Sequence, residues 1–422
     1  MSEKFEFVRY GFDCEGYRAS FVYRARGREF TETMDFVKND WEYDEKMLDR
    51  ALFLAWVLAG TSYYKCWPTR EVSFPGDCEI DGDQARFFDM VYQEGLGQFA
   101  YENGLTREDL AHFVTTSERR GMLEGRTGEG IMSLQSGGKD SLLVADLLEK
   151  KGVEYMPWFV ASGDHHPRVL DELAESLQIA RRTIDRDGLE WAKENGAMNG
   201  HVPITYIIQS YAVIQAILSG KNMILVAVGQ EGVEPHAWIG DLAINHQWSK
   251  TWEAEQLFAQ YVKERIGNIL IGSPLRSMSE VRIAQLFAEN CWSRFGHSFS
   301  SCNVANYRQH ADNSELKWCG DCPKCANTYL MFAPFVEADE MKSIFEGQDL
   351  LEKESLEYSF KGLLGVDEVM KPFECVGSVE ELRWAYNNKK GGYGELPFEV
   401  PNSEFDISLE NDAQKEITDL VK

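Results

Sequence analysis

Ser136-Gly137-Gly138-Lys139-Asp140-Ser141 is the stretch on which the reading of this chain turns. It follows the apolar run Ile131-Met132-Ser133-Leu134 and precedes Leu142, Leu143, Ala145, Leu147 and Leu148 at helical spacing. A buried strand, a Gly-rich turn and a helix N-terminus, in that order, present backbone N–H groups and a positive dipole end to an anion. Gly137 and Gly138 permit positive φ and a close backbone approach. Ser136 and Ser141 bring hydroxyls, and Lys139 brings charge. The segment is not a Walker A loop, because Ser133 stands where the first Gly belongs and Asp140, not Ser or Thr, follows Lys139. The dinucleotide pattern G-x-G-x-x-G is absent as well. The plain alternative is a Gly-Gly turn that holds nothing.

Outward from this turn, strand and helix patterns alternate. Tyr155 to Val160 reads as a strand, and Leu170, Leu173, Ala174 and Leu177 mark a helix. Pro203 opens a helix running to about Leu218, and Asn222 to Val228 is a continuous apolar strand. A helix from Glu253 to Arg265, a short strand at Ile269-Leu270-Ile271 and a helix from Ser279 to Glu289 complete the series. This order predicts an α/β fold with a doubly wound parallel sheet, whose ligands sit at the carboxyl ends of the strands. Upstream, Tyr17 to Tyr23 and Phe30 to Met34 form a hairpin about Gly27, followed by helices over 44–60 and from Gln84 to Gly95. Residues 115–130 are polar and Gly-rich. The expected organisation is an N-terminal α+β domain (1–125), a nucleotide-binding domain (126–290), a Cys-rich lobe (291–345) and a C-terminal region (346–422) completing the site. The acidic tail after Ser403 is expected to be a short helix or frayed.

The 422 residues carry 43 basic and 69 acidic side chains, net −26. Such a surface repels phosphodiester backbones, so the expected partner is a small-molecule substrate rather than nucleic acid. The longest apolar stretch, Ala51 to Gly60, is about half a membrane span, and the first residues do not read as a signal peptide. A soluble, cytoplasmic protein is expected, with its oligomeric state open. Nine Cys do not suggest a disulfide scaffold. Cys319, Cys322 and Cys325 at x2 spacing, with Cys302 upstream, suggest a tetrahedral zinc site that staples a small lobe. An iron–sulfur cluster, a reactive dithiol and four buried thiols are the alternatives.

The opening hexapeptide resembles the Ser-Gly-Gly-x-Asp-Ser signature of the PP-loop ATP pyrophosphatases, which have the adenine nucleotide alpha-hydrolase-like fold. That resemblance implies cleavage of ATP between the α and β phosphates, adenylation of a substrate oxygen, and Mg2+. The Cys pattern behind such a domain is similar to that of 7-cyano-7-deazaguanine synthases, which are much shorter. Further segments are Ser62 to Lys65, Gly95 to Tyr101, Gly196 to Thr205, Asn245 to Lys250, Trp318 to Cys325 and Lys371 to Gly377. Together they resemble the ATP-dependent UDP-N-acetylmuramoyl-L-alanyl-L-glutamate epimerases of cell-wall synthesis, as far as about residue 385.

This second resemblance implies inversion of the terminal L-Glu of UDP-MurNAc-L-Ala-L-Glu through an acyl-adenylate. Ser136, Gly137, Gly138, Lys139 and Ser141 are then expected at the ATP phosphates, and Asp140 at Mg2+ or as a loop-orienting acid. Glu231 is a second Mg2+ candidate or a loop carboxylate. The strand ends at Val160-Ala161 and Val228-Gly229 would flank adenosine. His201, His246 and Cys375 are candidates for proton transfer, and Lys250 and Arg276 for holding the substrate's carboxylate or phosphates. Two rival readings are a nucleobase- or tRNA-modifying PP-loop enzyme and an ATP-sensing module without catalysis.

Overall fold

A computed structural model describes residues 4–76, 78–118, 125–308 and 314–422. Its first elements are β1 (Phe5–Asp13), β2 (Arg18–Ala25) and β3 (Arg28–Asp35), an antiparallel meander. The expected hairpin is β2 and β3; β1 adds a strand through Phe5 and Phe7, both buried. The remaining strands are β4 (Val72–Ser73), β5 (Ile131–Leu134), β6 (Tyr155–Ala161), β7 (Gln178–Thr183), β8 (Met223–Leu225), β9 (Ala237–Ile239), β10 (Leu242–Ile244) and β11 (Leu270–Gly272). Nine of them form one sheet in the order β11-β8-β5-β6-β7-β3-β2-β1-β4, and β9 pairs with β10 in a separate hairpin. From β11 to β7 every pairing is parallel, while β7 meets β3 antiparallel. One sheet therefore draws strands from both sides of residue 125.

Side chains of the parallel strands alternate between two cores. Trp158, Ile224 and Ile271 face a core shared with the meander and the helices Glu45–Ala59, Ile204–Leu218 and Trp252–Arg265. Tyr155, Phe159, Ala161 and Leu225 face the other core, under the helices Lys139–Lys150 and Glu280–Asn290 and the C-terminal third of the chain. The meander's buried residues Phe5, Phe7, Phe21, Tyr23, Phe30 and Met34 all belong to the first core.

The segment marked by Leu170, Leu173, Ala174 and Leu177 is not the expected α-helix. It holds one 3-10 turn, Arg168–Glu172, and then enters β7. Val169, Leu170 and Leu173 are buried, but the Ala174 N–H that would continue a helix donates to Glu149 Oε1 (2.9 Å). β7 is hard to see in the sequence because two of its six residues are Arg. Arg182 is accommodated by Glu32 on β3, which accepts from its Nε (2.7 Å) and Nη2 (3.0 Å), from the Tyr63 hydroxyl (3.1 Å) and from the Tyr211 hydroxyl. The apolar run Asn222 to Val228 gives regular pairing at Met223–Leu225; beyond it the Val228 N–H donates to the Ser273 hydroxyl (3.1 Å).

The C-terminal third packs the helices Pro323–Phe332 and Val379–Asn387 against Glu280–Asn290, and Glu357–Leu364 packs on those two. The tail ends in a short helix, Lys415–Thr418, with Ile417 buried, and the Gln414 amide donates to Ile271 O on edge strand β11 (2.9 Å). Among the described residues no helix is long and apolar enough to cross a membrane.

Candidate active site

The turn from β5 into the helix Lys139–Lys150 has Gly137 at φ 79° and Gly138 as N-cap, with no side chain capping the helix. Its first N–H groups thus lack a side-chain partner and form an anion-receptive end. The hydroxyls brace the loop. Ser141 Oγ accepts from Ser136 N–H (3.2 Å) and lies 3.2 Å from Gly138 O, while Ser136 Oγ accepts from Gly138 N–H (3.3 Å). Lys139 Nζ donates to Asp140 Oδ1 (2.5 Å) and Glu280 Oε2 (2.7 Å). Burial pushes Lys139 down, but these two carboxylates outweigh it and hold the ammonium above its ordinary range. Burial pushes Glu280 up, Lys139 opposes, and Asp140 and Glu231 add their charge, leaving it at about 8. Its Oε1 is buried without a partner.

Glu231, in the loop after β8, accepts from Lys250 Nζ (2.8 Å) and Gln247 Nε2 (2.7 Å). Burial acts upward on Glu231, yet Lys250, Lys324 and Lys139 bring it down to about 2. Lys250 is itself pushed down by burial and raised more strongly by Cys375 and Glu231 beside it. Arg276 takes no place on the open site. It is 1% exposed, bonds to Glu255 Oε2 through Nε (2.9 Å), and donates Nη1 to the carbonyls of Gly229 (2.6 Å) and Lys250 (2.9 Å). It fixes the backbone that carries Lys250.

The hairpin of β9 and β10 delivers His246 against His201, with ring centroids 4.4 Å apart. His246 Nδ1 donates to Gln98 Oε1 (2.6 Å), and Gln98 in turn donates its amide to Glu102 (2.8 Å), which orients the amide and leaves His246 Nε2 with its lone pair. Burial takes His246 down to about 4, with Glu374 opposing and Lys250 and Lys324 assisting; burial, His246 and Lys65 take His201 to about 3. Both imidazoles are neutral near pH 7.

The four thiols of Cys302, Cys319, Cys322 and Cys325 all lie within 4.8 Å of one another. Three separations are 3.8 Å (302–322), 3.7 Å (319–325) and 3.6 Å (322–325). A tetrahedral ion with Zn–S bonds of about 2.3 Å needs S···S edges of about 3.8 Å. The cluster fits, and could bind a metal such as zinc. N–H groups of Ala305 and Asp321 point at Cys302 and Cys319 sulfurs (both 3.4 Å). Cys325 lies on the helix Pro323–Phe332, which starts inside the Cys motif. This helix also carries Lys324, whose ammonium donates to the carbonyl of half-buried Cys375, and Asn327, which accepts from Gly377 N–H (3.0 Å). Asn303, next to Cys302, donates to Glu374 (3.0 Å). The Cys lobe therefore holds the loop bearing Cys375.

The profile of the MurL N-terminal domain matches residues 1–270, and that of the MurL C-terminal domain matches 298–390. The chain belongs to the MurL family. Its relatives include the UDP-N-acetyl-alpha-D-muramoyl-L-alanyl-L-glutamate epimerase of Xanthomonas oryzae pv. oryzae, 30% identical over 90% of this chain and 84% of that protein. The same-named proteins of a Micromonospora species and of Salinispora tropica are 34% and 33% identical, each over 90% of this chain and 85% and 83% of their own lengths.

In this MurL-family chain the six dispersed sequence segments meet. Lys65 donates to Gly200 O (3.2 Å), Gln98 holds His246, Tyr101 packs on Phe373 (5.7 Å), and Gln247 Oε1 accepts from Val376 N–H (3.4 Å). Lys324 joins the Cys motif to Cys375. Lys65, Gln98, Gln247, Lys324 and Glu374 carry no motif of their own that marks a role, although each lies in one of the six segments. Glu280 had no signal beyond its place in the first turn of a helix.

Proposed function

We propose that the chain is a soluble cytoplasmic enzyme of peptidoglycan precursor synthesis that inverts the terminal L-Glu of UDP-MurNAc-L-Ala-L-Glu to D-Glu, consuming ATP. The observation that carries this is convergence. The Ser136–Ser141 turn, the Lys250–Glu231 pair, the His201–His246 pair and Cys375 are linked through direct contacts or short-range electrostatics. An anion cradle beside neutral bases suits activation of a carboxylate followed by removal of the adjacent proton.

The chemistry follows from charge. A Cα–H beside a carboxylate resists removal because the carbanion would stand next to an existing negative charge. Attack of the α-carboxylate oxygen on the α phosphorus of ATP forms an acyl-adenylate and releases pyrophosphate. The carboxylate charge is gone, and the Cα carbanion delocalises onto the acyl oxygen. A base removes the proton, a proton returns on the other face, and water cleaves the mixed anhydride to give the epimer and AMP.

In this reading Gly137, Gly138, Ser136, Ser141 and Lys139 hold phosphates in a PP-loop, and Val160-Ala161 at the end of β6 and Val228-Gly229 just beyond β8 flank adenosine. Asp140, Glu280 and Glu231 are the carboxylates that would hold Mg2+, which neutralises phosphate charge when bound. The unpartnered oxygen of Glu280 suits that role. Zinc at the four thiols would be structural, keeping Lys324 and the Cys375 loop in place. His246, backed by His201, and Cys375 are the proton-transfer groups, with Lys250 beside the carboxylate being activated.

The test is incubation with UDP-MurNAc-L-Ala-L-Glu, ATP and Mg2+ in D2O. D-Glu, AMP and deuterium at Cα should appear together. Epimerisation without AMP, or AMP without Cα exchange, refutes the adenylate route.

A further inference from the structure

The terminal glutamate of the proposed substrate carries two carboxylates. One must reach the Ser136–Ser141 loop; the other remains ionised and needs a partner inside a site shielded from water. The cations on the loop side are engaged with that half of the site. Lys139 is held by Asp140 and Glu280, Lys250 by Glu231, and Lys324 by the Cys375 carbonyl next to Glu231.

Lys65 is different. It follows the short helix Thr61–Tyr64, and its ammonium donates to the carbonyl of Gly200, the residue before His201 (3.2 Å). Among the described residues it makes no ion pair, although it is half-buried. It lines a cavity of about 500 Å³ whose walls include Arg186, Met198 and Asn199, together with Glu190 and Lys193, which pair with each other. His246 lies in the field of Lys250 and Lys324, and His201 in the field of Lys65. The two imidazoles, tilted against each other, lie on a path of contacts that runs from Lys250 through Glu231 and Gln247 to Gly200 and Lys65. A glutamate whose Cα lies at the histidines and whose α-carboxylate points to the loop would direct its side chain towards Lys65.

We propose that Lys65 binds the side-chain carboxylate of the substrate's terminal glutamate and sets the preference for glutamate over glutamine. This rests on the activity proposed above and names a determinant of its specificity. An ammonium meeting a carboxylate out of water discriminates strongly against the neutral, near-isosteric amide.

Calorimetric binding of UDP-MurNAc-L-Ala-L-Glu and UDP-MurNAc-L-Ala-L-Gln tests it in the wild-type protein, K65M and K65Q. K65Q retains a donor for Gly200 O and serves if K65M does not fold, as judged by circular dichroism. The wild type should prefer Glu by roughly 10- to 100-fold. In either neutral variant the preference should collapse to about threefold or less, mainly through weaker Glu binding. K65R should restore part of it. A neutral variant that keeps the wild-type ratio, or a wild type with no preference, overturns the assignment. A Lys65-dependent preference with no AMP release would uphold Lys65 while removing the adenylation mechanism. Normal AMP release and Cα exchange, with the preference intact in K65Q, would do the reverse.

Discussion

Gly137 and Gly138 are neighbours in sequence, yet alanine should do different things at each. At Gly137 φ is 79°, a left-handed value that costs an L-residue about 1–2 kcal/mol. A Cβ there would also lie 2.6 Å from Leu316 Cδ1, 3.2 Å from Val169 Cγ1 and 3.3 Å from Pro167 Cβ. Leu316 can turn aside; Pro167 is stiffer. At Gly138 φ is −84° and ψ 164°, ordinary for alanine, and the nearest atoms to a Cβ are Ser136 Oγ at 3.5 Å and Ser301 Cβ at 4.0 Å. Both substitutions narrow the unfolded ensemble equally, a stabilising effect of about 0.4–1 kcal/mol that cancels in the comparison. What remains is strain and crowding at Gly137, so the variants should differ by about 2 kcal/mol. Urea unfolding followed by circular dichroism should place Gly138→Ala at or above the wild-type midpoint and Gly137→Ala below it. AMP release should separate differently: both variants should lose at least about tenfold, equivalent to about 1.4 kcal/mol of barrier, because a methyl at either position intrudes on the phosphate's approach. Equal destabilisation would show that the backbone argument is wrong. Full AMP release by Gly138→Ala would show that the loop does not cradle a phosphate.

The remaining predictions concern buried charge and the thiol cluster. Arg182→Met should cost about 3–5 kcal/mol, measured by urea unfolding at pH 7, because Glu32 would stay fully buried with tyrosine hydroxyls and no cation. His201 and His246, held near 3 and 4 by burial first, bind more protons unfolded than folded between those values and about 6.5. Stability should therefore fall as pH drops below about 6.5, by about 2 kcal/mol per histidine at pH 5, and H201N/H246N should flatten that dependence. His246→Asn should still release AMP while losing deuterium incorporation at Cα; loss of both would assign the residue to binding or folding. Purified protein should carry one zinc per chain by elemental analysis. Cys322→Ser should lose the metal and show faster exchange of the Gly377 amide, which Asn327 now holds.

Much of the fold is legible because local patterns and tertiary demands agree. The helix Glu45–Ala59 has its Asp44 cap and its apolar spacing, and Ile131–Leu134 runs straight into the Gly-Gly turn. Where they conflict, the sequence misleads. Arg181 and Arg182 disguise β7, since a strand with two arginines is credible only once Glu32 on β3 is known to receive Arg182 and Asp164 to receive Arg181. Leu170 to Leu177 has helical spacing, but Glu149 takes the N–H that the helix would need. The candidate site was legible as residue types and quoted segments, and its partnerships were not. Arg276 is an attractive ligand for an anion on paper, whereas in three dimensions it ties Gly229 and Lys250 together.

The sequence by itself determined the Gly-Gly turn between strand and helix, the metal-compatible spacing of three cysteines and the kinship with glutamate epimerases, because each depends on residues close in the chain or on words in a fixed order. The tertiary structure decided what those words do together. It joined the N-terminal meander to the parallel sheet through β3 and β7, set Lys324 of the thiol lobe on the carbonyl of Cys375, and brought His201 against His246, with Lys65 on the carbonyl of the neighbouring Gly200. Contacts between residues 50 to 150 positions apart follow from how two cores pack across one sheet, and no local pattern encodes that.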